Sequence, residues 1–449
     1  MSYLTRSEAR DRLLAGVQRV AEVVSPTLGP KGHFVVLGGE KPIVTNDGAT
    51  IAQHLKIEDP YERIGAEIVK QVALNVAKTV GDGTTTATIL TSEILQRGLE
   101  SEEHSGDVTK DVALATVVAI DAIKKEARPA TKQELIEIGQ RACKNKVLGE
   151  KIASLIYSIG ADSHVFIKEG LKTDVEVVQG SVFQVRPLIN TADVPIPTEA
   201  SRLKILCLDY LFTDITRIIP VIEQLIETGV RELVVVCEGI DGEALRTTLA
   251  NHSRNSFSLY AIKAEDIKGI STVAGARLIQ VSDSGNPSQE DLGEATVIFS
   301  QDRIALVNPK GDISRAISLI ENSELDQENK NRQIAQISGH VGFLTIEAIG
   351  ETDLQDKKIR SDDGIRACQA TLRGGVVDGG GMAYERASKI VESKIMSDSL
   401  LSIKKTIDEN AGYEVPTDGV VDPTLVLTTA LMHATTAACQ LINSEAVLL

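Results

Sequence analysis

Apolar residues recur at helical spacing near both ends of the chain and at strand-like spacing in its middle. Leu13, Val17, Val20 and Val24 share one face within residues 5–24, and Thr5 with Glu8 forms a capping-box pattern ahead of them. A break at 25–32 leads to two short strand-like runs, 33–37 and 42–45. Residues 61–79 read as a helix through Ile64, Ile68, Val72 and Val76, and residues 108–126 as another, rich in Ala and Val.

From about residue 164 the period changes. Strand-like HVFIKEG and DVEVVQG come first, then apolar runs alternating with helical ones: LKILCLDYL, IIPVIEQLIETG, ELVVVCEG, EALRTTLANHS. That alternation predicts an α/β layer domain. Residues 314–337 read as one long charged helix, 362–373 as another, and the last sixty residues as mostly helical. The expected fold class is therefore multi-domain α and α/β, with one end domain built from both chain ends.

Thr424 to Ile442 needs a membrane check, because 19 residues without Lys, Arg, Asp or Glu approach a bilayer span. Five Thr, a Gln and His433 interrupt it, so a buried helix of a soluble protein is the reading.

Composition narrows the function. The chain has 449 residues, enough for about three domains, with 42% hydrophobic and 24% charged residues. Its 47 basic and 63 acidic residues give a net charge of −16, which argues against electrostatic nucleic-acid binding. With 3% aromatics and no Trp, stacking platforms for bases are not expected. The polar N-terminus has no secretory core, and five scattered Cys fit a reducing, cytoplasmic setting. No membrane partner is expected.

The strongest chemical signal is Gly81-Asp82-Gly83-Thr84-Thr85-Thr86-Ala87-Thr88, between two helical stretches. Two Gly allow close backbone approach, and successive N–H groups at a helix start form an anion nest. Three hydroxyls can donate to phosphate oxygens, and the carboxylate of Asp82 can hold Mg²⁺. A capped helix start is the plain alternative, and the three consecutive Thr tip the balance toward phosphate. Neither a Walker A loop nor a kinase set of motifs is present, so any nucleotide site is of another type. Thr27-Leu28-Gly29-Pro30-Lys31-Gly32, Thr45-Asn46-Asp47-Gly48 and Gly379-Gly380-Gly381 could complete such a site, though singly each reads as an ordinary turn.

Taken together, TLGPKG, NDGATIA, GDGTTTAT, GVVDGGG and VVDPTLV stand in the order seen in group I chaperonins. The chain resembles a shortened, divergent large subunit of that family over nearly its whole length. The resemblance implies an ATP site in an equatorial domain. Thr27, Leu28, Gly29 and Pro30 match the segment touching nucleotide and a monovalent cation, K⁺ in the family. Asn46 stands where a Lys is usual. Asp82 matches the Mg²⁺ ligand and Gly83, Thr84, Thr85 and Thr86 the phosphate cradle. Gly380 matches backbone near the ribose, and Asp422 the carboxylate at the sugar. Asp363, fifteen residues before Asp378, is in register with the Asp that orients and deprotonates the attacking water. Asp47 matches a second carboxylate near that water. For Asp363 a helix N-cap is the alternative role, and Asp362 is an adjacent competitor.

The implied plan is equatorial 1–126 and 374–449, intermediate 127–178 and 342–373, and apical 179–341, with hinges at Gly180 and Gly339. In the apical part, helices 214–228 and 242–251 would present Ile219, Ile222, Leu245, Leu249, Ala250 and Asn251 as a groove for non-native chains and a lid co-chaperonin. Read without the family, an amphipathic helix would bury those positions. The sequence departs from the family in a shorter loop after Gly180 and a trimmed apical segment 264–275. It also lacks roughly forty equatorial residues between Met382 and Val421, and the Gly-Gly-Met tail. The expectation is a chaperone that hydrolyses ATP and folds protein in a homo-oligomeric, seven-membered ring. The alternative is a nucleotide-binding scaffold without a working cage.

Overall fold

The computed structural model describes residues 3–38, 42–197, 200–283, 286–300 and 302–449. They form two compact units, residues 1–161 with 349–449, and residues 162–348. The chain crosses between them at 161/162 and at 348/349, so the segments 127–178 and 342–373 are divided between the two.

The first unit is helical. Its core is laid down by the Arg6–Val24 helix, whose Ala9, Leu13, Val17, Val20 and Val24 are buried. Against it runs the Pro60–Val80 helix, and two glycines bring their backbones together. A Cβ on Gly16 would fall 1.8 Å from the Glu62 carbonyl oxygen, and one on Gly65 2.1 Å from that of Leu13. Glu62, buried at this crossing, accepts from Arg19 Nε at 2.6 Å and lies 3.3 Å from Arg12 Nη1. A buried carboxylate is tolerated only when paired in this way.

Both chain ends belong to this unit: Tyr3–Thr5 pairs antiparallel with Ala446–Leu448. That pairing corrects the capping-box expectation. Thr5 does precede the helix and is taken up in that pairing, but its side chain makes no cap hydrogen bond. Thr424–Ile442 is long and apolar enough to cross a membrane, yet 67% of its apolar window is buried inside the unit. Its Thr435 hydroxyl meets that of Thr116 at 2.9 Å inside the core.

The second unit carries a mixed nine-stranded sheet. Ser201–Phe212, Glu232–Ile240 and Ser258–Ala264 run parallel. The helices Ile219–Glu227 and Gly242–Ser253 connect them, as the alternating periods predict. Two helix expectations change. The expected 214–228 helix is a 3₁₀ turn, Ile215–Arg217, followed by Ile219–Glu227, because Asp214 caps the turn and Pro220 favours a fresh helix start. The expected 314–337 helix is two, Ile313–Glu321 and Gln327–Ser338. Asp326 caps the second by accepting from Asn329 N at 2.9 Å, and a capping side chain competes with helix continuation. Gly180 lies inside the continuous Asp174–Pro187 strand, its N–H donating to the Gly339 carbonyl at 3.3 Å.

Candidate nucleotide site

Six stretches far apart in sequence converge on one cavity of about 1250 Å³ in the first unit. Every residue that the family resemblance assigns to nucleotide, Mg²⁺ or water lines it: Thr27 to Pro30, Asn46, Asp47, Asp82 to Thr86, Asp363, Gly380 and Asp422.

Gly81 ends the Pro60–Val80 helix at φ 71° and Gly83 precedes the Thr84–Glu100 helix at φ 85°. Both conformations favour glycine, so the loop between the helices turns within three residues. No side chain caps the second helix, which leaves its first N–H groups and the Thr84, Thr85 and Thr86 hydroxyls facing the cavity end. Asp82 is exposed, with one carboxylate oxygen accepting from Gly83 N at 2.7 Å. Thr85 Oγ1 lies 3.2 Å from Thr27 Oγ1, which ties this loop to the Ser25–Thr27 turn.

Asp363 sits in the middle of the Glu351–Gly374 helix, so the N-cap alternative is excluded. The neighbouring Asp362 is exposed and lines the same cavity. Gly364 lets the buried Cys143 pack against this helix, since a Cβ there would fall 2.1 Å from Cys143 Sγ. Arg366 donates to the Ala77 and Lys78 carbonyls at 3.3 and 3.1 Å, closing the end of the Pro60–Val80 helix. Burial, then the charges of Asp47 and Asp82, push the Asp363 carboxyl up to about 8. A carboxylate with that proton affinity is matched to taking a proton near neutral pH.

Asp47 caps the Gly48–His54 helix through Thr50 N at 2.7 Å. Its other oxygen is 3.9 Å from Lys144 Nζ. Lys144 is the functional candidate that the sequence reading missed. It occupies the left-handed region at φ 50°, between the Lys132–Cys143 and Lys146–Ile159 helices, and lines the cavity. Burial lowers its pKa, while Asp47 and Asp82 oppose that. One ammonium is thus set among three carboxylates.

At the other end, Val376–Asp378 pairs antiparallel with Val421–Pro423, bringing the Gly run against Asp422. Gly380 N donates to Asp422 Oδ2 at 3.0 Å. Arg141 Nη1 lies 3.4 Å from Asp422 Oδ1 and its Nη2 donates to the Val421 carbonyl. Residues 403–415 supply the remaining wall. Asn410 Nδ2 donates to the carbonyls of Ser25 and Leu28 at 2.8 and 2.9 Å, and Ile403, Ile407 and Val415 line the cavity. Asn410 carried no signal in the sequence beyond its place in that stretch.

Asp82 offers the hard oxygen donor that Mg²⁺ takes alongside phosphate oxygens. Among the described residues no three His, Cys, Asp or Glu are grouped to hold a metal by themselves.

The comparisons agree with this architecture. Residues 20–217 match the TCP-1/cpn60 chaperonin family. The fold matches the chaperonin gp146 of bacteriophage EL 2 (Pseudomonas aeruginosa), crystallised in the presence of ATP-BeFx, with a TM-score of 0.75 at 14% identity. That match covers 100% of this chain and 99% of the phage protein. The chain has the fold of a chaperonin. A second crystal form of gp146, also with ATP-BeFx, matches the chain with a TM-score of 0.71 at 14% identity, covering 100% and 99% of the two chains.

In the second unit, the residues expected to form the groove are neither core nor fully free. Val221, Leu225, Ala244 and Thr248 form the buried stripes of the two helices. Ile219 is 38% exposed and Ala250 is exposed, while Ile222, Leu245, Leu249 and Asn251 are half-buried beside them.

Proposed function

We propose that this chain is an ATP-dependent chaperonin subunit, which hydrolyses Mg·ATP and uses the cycle to bind and release non-native polypeptides. The observation that carries the reading is the single cavity that gathers a Gly-Asp-Gly-Thr-Thr-Thr helix start, three carboxylates and the Lys144 ammonium. The three-domain plan and the cytoplasmic setting expected from the sequence are part of the same proposal.

The chemistry asked of the protein is positioning and charge neutralisation. The N–H groups and hydroxyls of Thr84 to Thr86 hold the phosphates. Asp363 orients the attacking water and takes its proton, with Asp47 on the same water. Lys144 offsets the negative charge gathered there. Mg²⁺, held by Asp82 and phosphate oxygens, would neutralise charge on the leaving group, and Thr27 to Pro30 with Asn46 would accommodate K⁺. Gly380 and Asp422 face the sugar.

The partly exposed Ile219, Ile222, Leu245 and Leu249 supply the client surface, with a lid co-chaperonin as a second occupant. The first unit also exposes Leu114, Val117 and Val118 on one helix and Phe34, Val36 and Val44 around a hairpin. Apolar surface of that kind is ordinarily covered by a partner, here the neighbouring subunits of a seven-membered homo-oligomeric ring.

Electron microscopy of negatively stained full chain, with and without ATP, beside an aggregation assay on a denatured client, tests this reading. Rings that change shape with ATP and suppress aggregation are expected. Monomers that hydrolyse ATP without holding a client would favour the scaffold alternative instead.

A further inference from the structure

The sugar end of the cavity contains an ion pair that the nucleotide reading leaves without a task. Asp422 is held from two sides: Gly380 N donates to Oδ2 at 3.0 Å, and Arg141 Nη1 stands 3.4 Å from Oδ1. Arg141 is itself fixed, because its Nη2 donates to the Val421 carbonyl in the residue just before Asp422. The guanidinium fork therefore spans side chain and backbone of one short strand, a geometry that an ammonium cannot reproduce.

Arg141 comes from the C-terminal turn of the Lys132–Cys143 helix, while Asp422 comes from the Val421–Pro423 strand. Nothing in local structure requires them to meet. The pair is also not a plain surface contact: the Asp422 side chain is three-quarters covered at the cavity wall. Burial there raises the Asp422 pKa, and the Arg141 charge opposes that rise. Each carboxylate oxygen has two acceptor positions, and the contacts to Gly380 and Arg141 use one on each. One position per oxygen is left for hydroxyl donors from the cavity.

We propose that Arg141 is a positioning residue for sugar recognition, holding Asp422 ionised and oriented so that its free acceptor positions take the ribose hydroxyls of the nucleotide. This rests on the nucleotide reading of the cavity and goes beyond it by assigning the discrimination between ribose and deoxyribose to the Arg141–Asp422 pair. A hydrogen bond from a hydroxyl to a charged carboxylate is worth about tenfold or more in affinity.

The test is calorimetric titration of the full chain with ATP, 2′-deoxyATP and 3′-deoxyATP, each with Mg²⁺. Wild type should bind ATP about tenfold more tightly than at least one deoxy analogue. Arg141→Met should bring that ratio close to one by weakening ATP and sparing the analogue. Arg141→Lys, which keeps the charge but not the fork, should give an intermediate ratio. It also supplies the reading if the Met variant does not fold. In an Asp422→Asn background Arg141→Met should have no further effect on the ratio. A ratio unchanged in both Arg141 variants, or independent effects of Arg141 and Asp422, would overturn the proposal. Wild type that binds ATP without discriminating would overturn it while leaving the nucleotide site intact. Wild type that binds no nucleotide would take the underlying reading down as well.

Discussion

The carbonyl oxygen of Asp363 lies where a side chain on Gly81 would begin, only 2.2 Å from the position of a Cβ. The loop that ends in the threonine-rich helix start and the helix that carries Asp363 are thus in backbone contact. A residue with any side chain at position 81 would separate them.

Gly81→Ala should therefore damage both stability and hydrolysis. The substitution places a Cβ at φ 71° and against a backbone atom that cannot rotate away. The combined cost is about 2–4 kcal/mol. A thermal melt should show a drop of several degrees, and ATP turnover at low temperature, where the variant is still folded, should fall with it. A melt identical to wild type would mean that the two segments are not packed as described.

Asp363→Asn should remove hydrolysis, by 10²–10⁴-fold for loss of a general base, while ATP still binds. The same variant should also be more stable than wild type at pH 8. The folded carboxyl sits at about 8, above the ordinary value of 3.8, so folding holds the proton more tightly than the unfolded chain does. Stability from that group is present below the unfolded pKa and is lost as pH rises through the folded one. The Asn variant escapes that loss, so its advantage in melting temperature should be largest at pH 8 and shrink toward pH 4. No growth of the advantage over that range would contradict the burial assigned to Asp363.

Asp47→Asn separates charge from capping. Asn caps a helix about as well as Asp, so the Gly48–His54 helix should survive. Removing the Asp47 charge should lower the Asp363 pKa. The rising limb of kcat/KM against pH should therefore move to lower pH in this variant, whatever happens to its maximum.

Lys144→Met leaves Asp47, Asp82 and Asp363 without the ammonium set among them. ATP binding should weaken by about tenfold, the scale of one charge-assisted contact. ADP, with less charge to offset, should be affected less. Equal losses for ATP and ADP, read by calorimetry, would mean that Lys144 supports the fold rather than the phosphates.

Much of this site was legible because its chemistry is local. Asp82 to Thr86 form one loop whose phosphate-binding character lies in adjacent residues. Asp363 could be found only by register, since an isolated Asp in a charged helix looks like any other. Lys144 and Arg141 left no mark. Their meaning comes from the fold, which carries the end of one helix and the turn after it onto carboxylates almost a hundred residues before and nearly three hundred after. In the fold itself, helix and strand periods placed the elements well where burial follows the pattern. They failed at Asn322–Asp326, where capping side chains ended a helix that the charge pattern continued. The sheet order was not readable, because the Asp174–Pro187 strand pairs with partners from the far side of its unit.

The exposure of the groove residues makes a separate prediction. Ile222→Ser with Leu249→Ser should abolish capture of a denatured protein at a cost of at most ~2 kcal/mol in stability, since both side chains are already partly in water. A loss large enough to unfold the second unit would mean that these side chains are core.

The most direct test of the central claim is a structure of the full chain with Mg²⁺ and a non-hydrolysable ATP analogue. The account predicts phosphates against the N–H groups of Thr84 to Thr86, the cation at Asp82, and the terminal phosphate between Asp363 and Lys144. Nucleotide bound elsewhere, or a chain that takes up none, would contradict it.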